Sequence, residues 1–226
     1  DMTSTLEISN VSKKYQRKNQ ADVQAVDDIT LAAASGDFIA ILGPSGCGKS
    51  TLMLTAGGLL KVDSGAVTVN GQDLYSLNNS QRAEFRADNI AYVYQEFHLI
   101  PYLNVLDNIQ VIDLAKGGGS LEKAQAILSQ FGLSERATHL PSELSVGEQQ
   151  RVALSRAVYG GAKIILADEP TGNLDSANAE IVLQALKKFT DEGGIVLMVT
   201  HDDRALTYAN KQLKMNKGRW ITADGH

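Results

Sequence analysis

The chain has 226 residues, 43% of them apolar, enough to bury one large core or two small ones. Its net charge of −5 argues against a nucleic-acid binder held by bulk charge, and its single cysteine, Cys47, excludes an internal disulfide framework and points to a reducing compartment. No apolar run reaches the ~18 residues a spanning helix needs, and DMTSTLEISN lacks the basic and apolar regions of a secretory signal, so the expectation is a soluble cytoplasmic protein with Asp1 and His226 read as added residues.

In chain order, LEISNVSKKY reads as a strand with mixed alternation and QRKNQADVQ as a polar loop. AVDDITLAAASGDFIAILG gives two strands joined near Ser35-Gly36, and the second, FIAIL, is continuously apolar, as in a strand buried on both faces. A helix is expected from Lys49 to about Leu60. SGAVTVNGQDL predicts antiparallel pairing about an Asn70-Gly71 turn. SQRAEFRADN is a polar helix and IAYVYQ a further strand. From Glu96 to about Arg156 strand signals fade: LNVLDNIQVIDLAK and LEKAQAILSQFG carry helical periodicity, separated by Gly117-Gly118-Gly119. Then follow the strand AKIILADEP, the helix SANAEIVLQALKKFTDEG, the strand GIVLMVTHD, a short helix near RALTYAN, and two short strands in QLKMNKGRWI. Buried strands alternating with helices predict an α/β domain with a mostly parallel sheet, an antiparallel β part and a helical insertion. The boundaries are one domain over 1–226, with a core of 1–95 and 156–226 and a helical subdomain of 96–155.

Three stretches carry chemistry. Gly43-Pro44-Ser45-Gly46-Cys47-Gly48-Lys49-Ser50-Thr51 fits G-x-x-x-x-G-K-[ST] between a strand and a helix, the context in which backbone N–H groups and a helix N-terminus cradle phosphates. Lys49 would reach the β- and γ-phosphates and the Ser50 hydroxyl would ligate Mg²⁺. Cys47 reads as a spacer in that loop. KIILADEP places Asp168 and Glu169 at the end of a buried strand, beside the phosphate loop in a parallel sheet. Asp168 suits Mg²⁺ and Glu169 suits a general base for water; on an extended chain the two would point opposite ways. Gln95 and His201 follow parallel-type strands and should emerge at the same sheet edge, for the metal or the attacking water and for the γ-phosphate. Tyr15 ends an early strand and could stack on adenine. ELSVGEQQR opens a helix with a capping box, Ser145 as N-cap and Glu148 three residues on. A second anion-facing helix end in one chain suggests a nucleotide held between two chains.

This set resembles the ATP-binding subunits of ABC transporters. GPSGCGKST is similar to their Walker A motif, IILADE to Walker B, LSVGEQQR to the LSGGQ signature, Gln95 to the Q-loop, Asn173-Leu174-Asp175 to the D-loop, His201 to the switch histidine and Tyr15 to the A-loop. The motifs stand in family order over nearly the whole chain. The resemblance implies a P-loop NTPase, RecA-like core and a head-to-tail homodimer in which each ATP lies between Walker A of one copy and the signature of the other. Ser145 and Gly147 would then contact the γ-phosphate held by the opposite subunit, and Asp175 would help couple the sites. Two departures stand in the signature. Val146 replaces the first glycine, adding bulk, and Glu148 stands where Gln is common and is expected to turn back onto its own helix. ADEPTGNLDSANAE resembles the lipoprotein-release and macrolide-export branch, which implies an integral membrane permease docked on QEFHLIPYLNVLDNI through Phe97, Leu99, Ile100 and Tyr102, a place on the inner face of the cell membrane, and no direct nucleic-acid partner. The alternatives are a soluble ABC-type ATPase acting on nucleic acid or ribosomes, for which the Gln95–Leu144 interval is too short to hold a long coiled coil, and a P-loop kinase, which would not need the signature. No regulatory C-terminal domain is expected.

Overall fold

The computed structural model describes residues 4–16, 21–115 and 119–221; Gly117, Gly118, His226, Asp1 and Met2 lie outside the described residues. Two sheets organise the chain. Strands β1 (Thr5–Tyr15), β2 (Val23–Ala34), β4 (Ser64–Val69) and β5 (Gln72–Asp73) form an antiparallel sheet in the order β2-β1-β4-β5. As expected, Asn70 and Gly71 turn β4 into β5, both with positive φ (51° and 79°), the backbone such a tight turn demands.

The second sheet has the order β10-β9-β3-β8-β7-β6. Here β3 (Phe38–Leu42), β6 (Ile90–Tyr94), β7 (Ile164–Asp168), β8 (Ile195–Val199) and β9 (Lys211–Asn216) run parallel, and β10 (Arg219–Trp220) pairs antiparallel at the edge. The central strands are apolar without alternation because each face meets a different core. Ile39, Ile41, Ile164, Leu166, Ile195, Leu197 and Val199 pack toward the antiparallel sheet and helix α1 (Lys49–Ala56). Their strand neighbours Phe38, Ile165, Ala167, Val196 and Met198 pack the other way. That second core is closed by α3 (Val105–Gln110), α4 (Leu121–Gln130), α5 (Val146–Tyr159) and α6 (Ser176–Asp191). The period of two along each strand thus separates two cores across one sheet.

The structure corrects several boundaries. The helix after the phosphate loop stops at Ala56, not near Leu60. Gly57 follows, where a Cβ would fall 1.5 Å from the Tyr92 hydroxyl, and then Gly58 at φ 71°. The interval 97–104 is irregular, and α3 begins at Val105 with the Asn104 side chain accepting from the Asp107 N–H. A 3-10 turn, Val111–Ala115, continues it. α2 (Asn79–Asn89) and α7 (Ala205–Tyr208) match the polar and the short helix read from the sequence. Among the described residues no helix is long and apolar enough to cross a membrane.

Candidate active site

The loop from β3 to α1 wraps around one ammonium. Lys49 is 6% exposed, and its Nζ donates to the carbonyls of Gly43 at 2.6 Å and Pro44 at 3.0 Å and lies 3.8 Å from Cys47 Sγ. Pro44 O also accepts from the Cys47 N–H at 3.2 Å, and with these carbonyls engaged the loop's remaining N–H groups are the ones that can serve an anion. The glycines are steric requirements. Gly48, the N-cap of α1, has φ 108°, and a Cβ there would meet the Ala25 carbonyl at 1.9 Å; a Cβ on Gly43 would meet the Met215 carbonyl at 2.2 Å.

Six separated segments open into one cleft of about 910 Å³. Ser45, Gly46, Gly48, Lys49, Ser50 and Thr51 line its floor, Tyr15 stands at one side, and Gln95, Asp168, Glu169 and His201 line the other. Gly43, Pro44 and Cys47 belong to the same loop without lining the cleft. The parallel register explains the convergence: Tyr94 pairs with Asp168 and Asp168 with Val199, so the residues that follow these strands leave the sheet at one edge. Tyr15 is 39% exposed, and its hydroxyl lies 3.4 Å from Thr51 Oγ1. Val23, Ala25 and His98 also line the cleft; no sequence motif singles them out.

The two carboxylates depart from the expectation of an extended pair. Asp168 ends β7, but Glu169 has φ 49°, a left-handed backbone rare outside glycine. Its own N–H donates to the Val199 carbonyl at 2.9 Å, and its carbonyl accepts from Gly172 N at 3.1 Å. The turn brings the Glu169 carboxylate to His201, whose backbone N–H donates to Oε2 at 3.2 Å and whose Nε2 lies 3.2 Å from Oε1. Burial pushes the Glu169 carboxyl above the usual carboxylate range; the bond from the His201 backbone opposes the shift and the Asp168 charge adds to it. Gln95 Nε2 donates to Asn173 Oδ1 at 3.1 Å, joining the residue after β6 to the segment after β7.

Among the described residues no cluster of three or more His, Cys, Asp or Glu side chains could hold a metal alone. A hydroxyl (Ser50), an amide (Gln95) and one carboxylate (Asp168) in the cleft nevertheless match Mg²⁺, which takes few protein oxygens and completes its shell with phosphate and water.

Ser145, Gly147 and Asp175 do not line the cleft. Ser145 N-caps α5, and the expected reciprocal box is present: Ser145 Oγ accepts from Glu148 N at 3.2 Å and Glu148 Oε2 accepts from Ser145 N at 2.8 Å. Val146 beside it is 46% exposed. Sequence reasoning missed two partners here. Arg136 Nε donates to Glu148 Oε1 at 2.8 Å. Asn178 joins the two motifs: a Cβ on Gly147 would fall 2.1 Å from its Oδ1, Arg151 donates to that oxygen at 2.8 Å, and Asn178 Nδ2 donates to Asp175 at 2.9 Å.

A parallel sheet with a lysine-centred phosphate loop, facing a carboxylate and a histidine across one cleft, defines a P-loop nucleotide-binding domain. The sequence profile described as ABC transporter matches residues 26–172. The macrolide export ATP-binding/permease protein MacB of Burkholderia pseudomallei (strain 1710b) is 37% identical over 219 residues, 96% of this chain and 33% of that protein. The probable syringafactin export ATP-binding/permease protein SyfD of Pseudomonas syringae pv. syringae (strain B728a) is 38% identical over the same share of each chain, 96% and 33%. The dimeric post-hydrolysis state of the ATP-binding cassette MJ0796 bound to ADP and Pi is similar at TM-score 0.86 and 33% identity, covering 98% of this chain and 100% of that one. The chain belongs to the ABC transporter family. It spans about a third of the length of the curated relatives it matches.

Proposed function

We propose that the chain is an ATPase unit that closes as a head-to-tail dimer around two ATP molecules and drives a membrane permease on the inner face of the cell membrane, in export or extraction of a substrate. One observation carries this reading. The phosphate loop, Glu169 and His201 share a cleft that Ser145 and Gly147 do not line, while those two stand at the start of a long helix beside an exposed Val146. A helix start whose Ser145 and Val146 are exposed outside its own chain's cleft suits a site completed by a second copy. The dimeric MJ0796 structures support it, and the export names of the relatives favour a transporter over a nucleic-acid ATPase.

In this reading Tyr15 stacks on adenine, and residues 43–51 cradle the phosphates. Lys49 leaves the carbonyls of Gly43 and Pro44 for the β- and γ-phosphate oxygens. Glu169 takes the proton of the attacking water, helped by burial that keeps it basic. His201 holds Glu169 and contacts the γ-phosphate as charge shifts to it. Ser145 and Gly147 of the second copy close over the γ-phosphate, and Asp175 with its partner Asn178 links that closure to the other site. Ser50, Asp168 and Gln95 would hold Mg²⁺, which when bound neutralises phosphate charge. Residues 96–155 act as a helical subdomain that carries the signature and offers Phe97, Leu99, Ile100 and Tyr102, the last 79% exposed, to the permease.

Glu169→Gln tests the proposal. It should bind ATP, turn over roughly 10²–10⁴-fold more slowly, and accumulate as an ATP-held dimer in light scattering. Wild-type turnover would remove Glu169 from the role of base.

A further inference from the structure

The start of α5 holds a charge that works against its proposed task. Glu148 lies in the first turn, one of its oxygens on the Ser145 N–H at 2.8 Å. A triphosphate brought to Ser145 and Gly147 would meet that carboxylate as a like charge. The carboxylate is ionised at neutral pH, since the bonds from Arg136 and from Ser145 hold it down to about 2. Capping does not require the charge: a neutral amide offers the same acceptor to Ser145 N.

Arg136 answers the charge directly. Its Nε donates to the other carboxylate oxygen at 2.8 Å. The Arg136 side chain is 42% exposed and that of Glu148 17%, so solvent screens part of the pair's contribution to stability. Local structure does not depend on the guanidinium. The 3-10 turn Ser134–Arg136 is closed by backbone bonds, Arg136 N to Leu133 O at 2.9 Å and His139 N to Arg136 O at 2.9 Å. Arg136 Nη1 also lies 3.5 Å from His139 Nε2, and the Glu135 carboxylate adds a further favourable charge.

We propose that Arg136 is a positioning residue for the contact between chains: it neutralises Glu148 and draws it aside, so that Ser145 and Gly147 can receive the terminal phosphate held by a second copy. The inference rests on the two-chain site proposed above and names a residue that the signature stretch itself does not contain.

The test uses the Glu169→Gln chain and reads the ATP concentration at half-maximal dimerisation by light scattering. Arg136→Leu in that background should raise it roughly tenfold, the scale of one uncompensated charge near the phosphates. Arg136→Lys, which keeps the charge, should stay near the parent. Arg136→Leu with Glu148→Gln should recover most of the loss, because the repelling charge is gone while the cap remains. Binding of a fluorescent ATP analogue to the monomer and the thermal midpoint establish that each variant is folded with a working phosphate loop. If Arg136→Leu dimerises like the parent, or the double variant stays as weak as Arg136→Leu, the inference is overturned while the two-chain site stands. If the Glu169→Gln parent fails to dimerise with ATP, the two-chain reading falls and takes the inference with it.

Discussion

Glu169 combines a left-handed backbone at φ 49° with a carboxyl raised by burial, and both follow from its place just past β7. A strained residue of this kind costs about 1–3 kcal/mol and persists only where its surroundings hold it, here through bonds to Val199, Gly172 and His201. The raised value fixes the sign of two pH effects. A base works ionised, so the acidic limb of kcat/KM, which reports the free enzyme, should lie above the ordinary glutamate value of about 4.3; a limb at or below it would contradict the assignment. For stability, a carboxyl raised in the fold favours folding fully below its unfolded value, and that contribution is lost as pH rises through the folded one. Glu169→Gln should therefore melt higher than the parent at neutral pH without nucleotide. Gly48 gives a steric test: Gly48→Ala forces a Cβ 1.9 Å from the Ala25 carbonyl at a φ of 108°, and should cost about 1–3 kcal/mol in denaturant unfolding together with ATP binding. The phosphate loop was legible in the sequence because its demands are local: glycines at fixed spacing after an apolar strand. The turn at Glu169 was not. Nothing in ADEP announces a left-handed glutamate, and the bonds that hold it come from β8 and the residue two beyond that strand.

At the scale of elements, the caps were readable and their partners were not. Ser145 and Glu148 are three residues apart on one helix, so periodicity alone gives the box. Arg136 reaches Glu148 only because the turn Pro141–Glu143 folds the intervening chain back. Asn178 meets Gly147 only because α5 and α6 pack side by side. The irregular 97–104 segment, which meets the helical run read from the sequence only at Leu103 and Asn104, is ordered by a buried asparagine. Asn108 Oδ1 accepts from Ile100 N at 2.8 Å, and Nδ2 donates to the carbonyls of Ile100 at 3.0 Å and Leu103 at 2.8 Å. The same corner is tied to the loop that bears Arg136, through Val105 N to His139 O at 2.9 Å and Leu106 N to Ala137 O at 3.0 Å. Asn108→Ala removes the side-chain partners of these half-buried backbone groups, each bond worth about 0.5–1.5 kcal/mol. Hydrogen exchange should show faster exchange confined to residues 100–104, the surface proposed for the permease; unchanged protection there would refute this account of the loop.

Across the whole molecule, the parallel sheet carries one core on each face, and its exit edge gathers the phosphate loop, Glu169 and His201 into one cleft. The alternation of buried strands and helices made that plan legible, because a sheet covered on both faces must be apolar throughout its strands. The two-layer division of its core was not legible, since continuous apolar runs such as FIAIL do not say which residue faces which layer. The signature residues remain outside the cleft, so the central claim is that a working hydrolysis centre takes its parts from two chains. Turnover per chain, measured against protein concentration at saturating ATP, tests this most directly. The two-chain centre requires it to rise with concentration and level off as dimers fill; a turnover per chain that is constant down to the most dilute solution would contradict it.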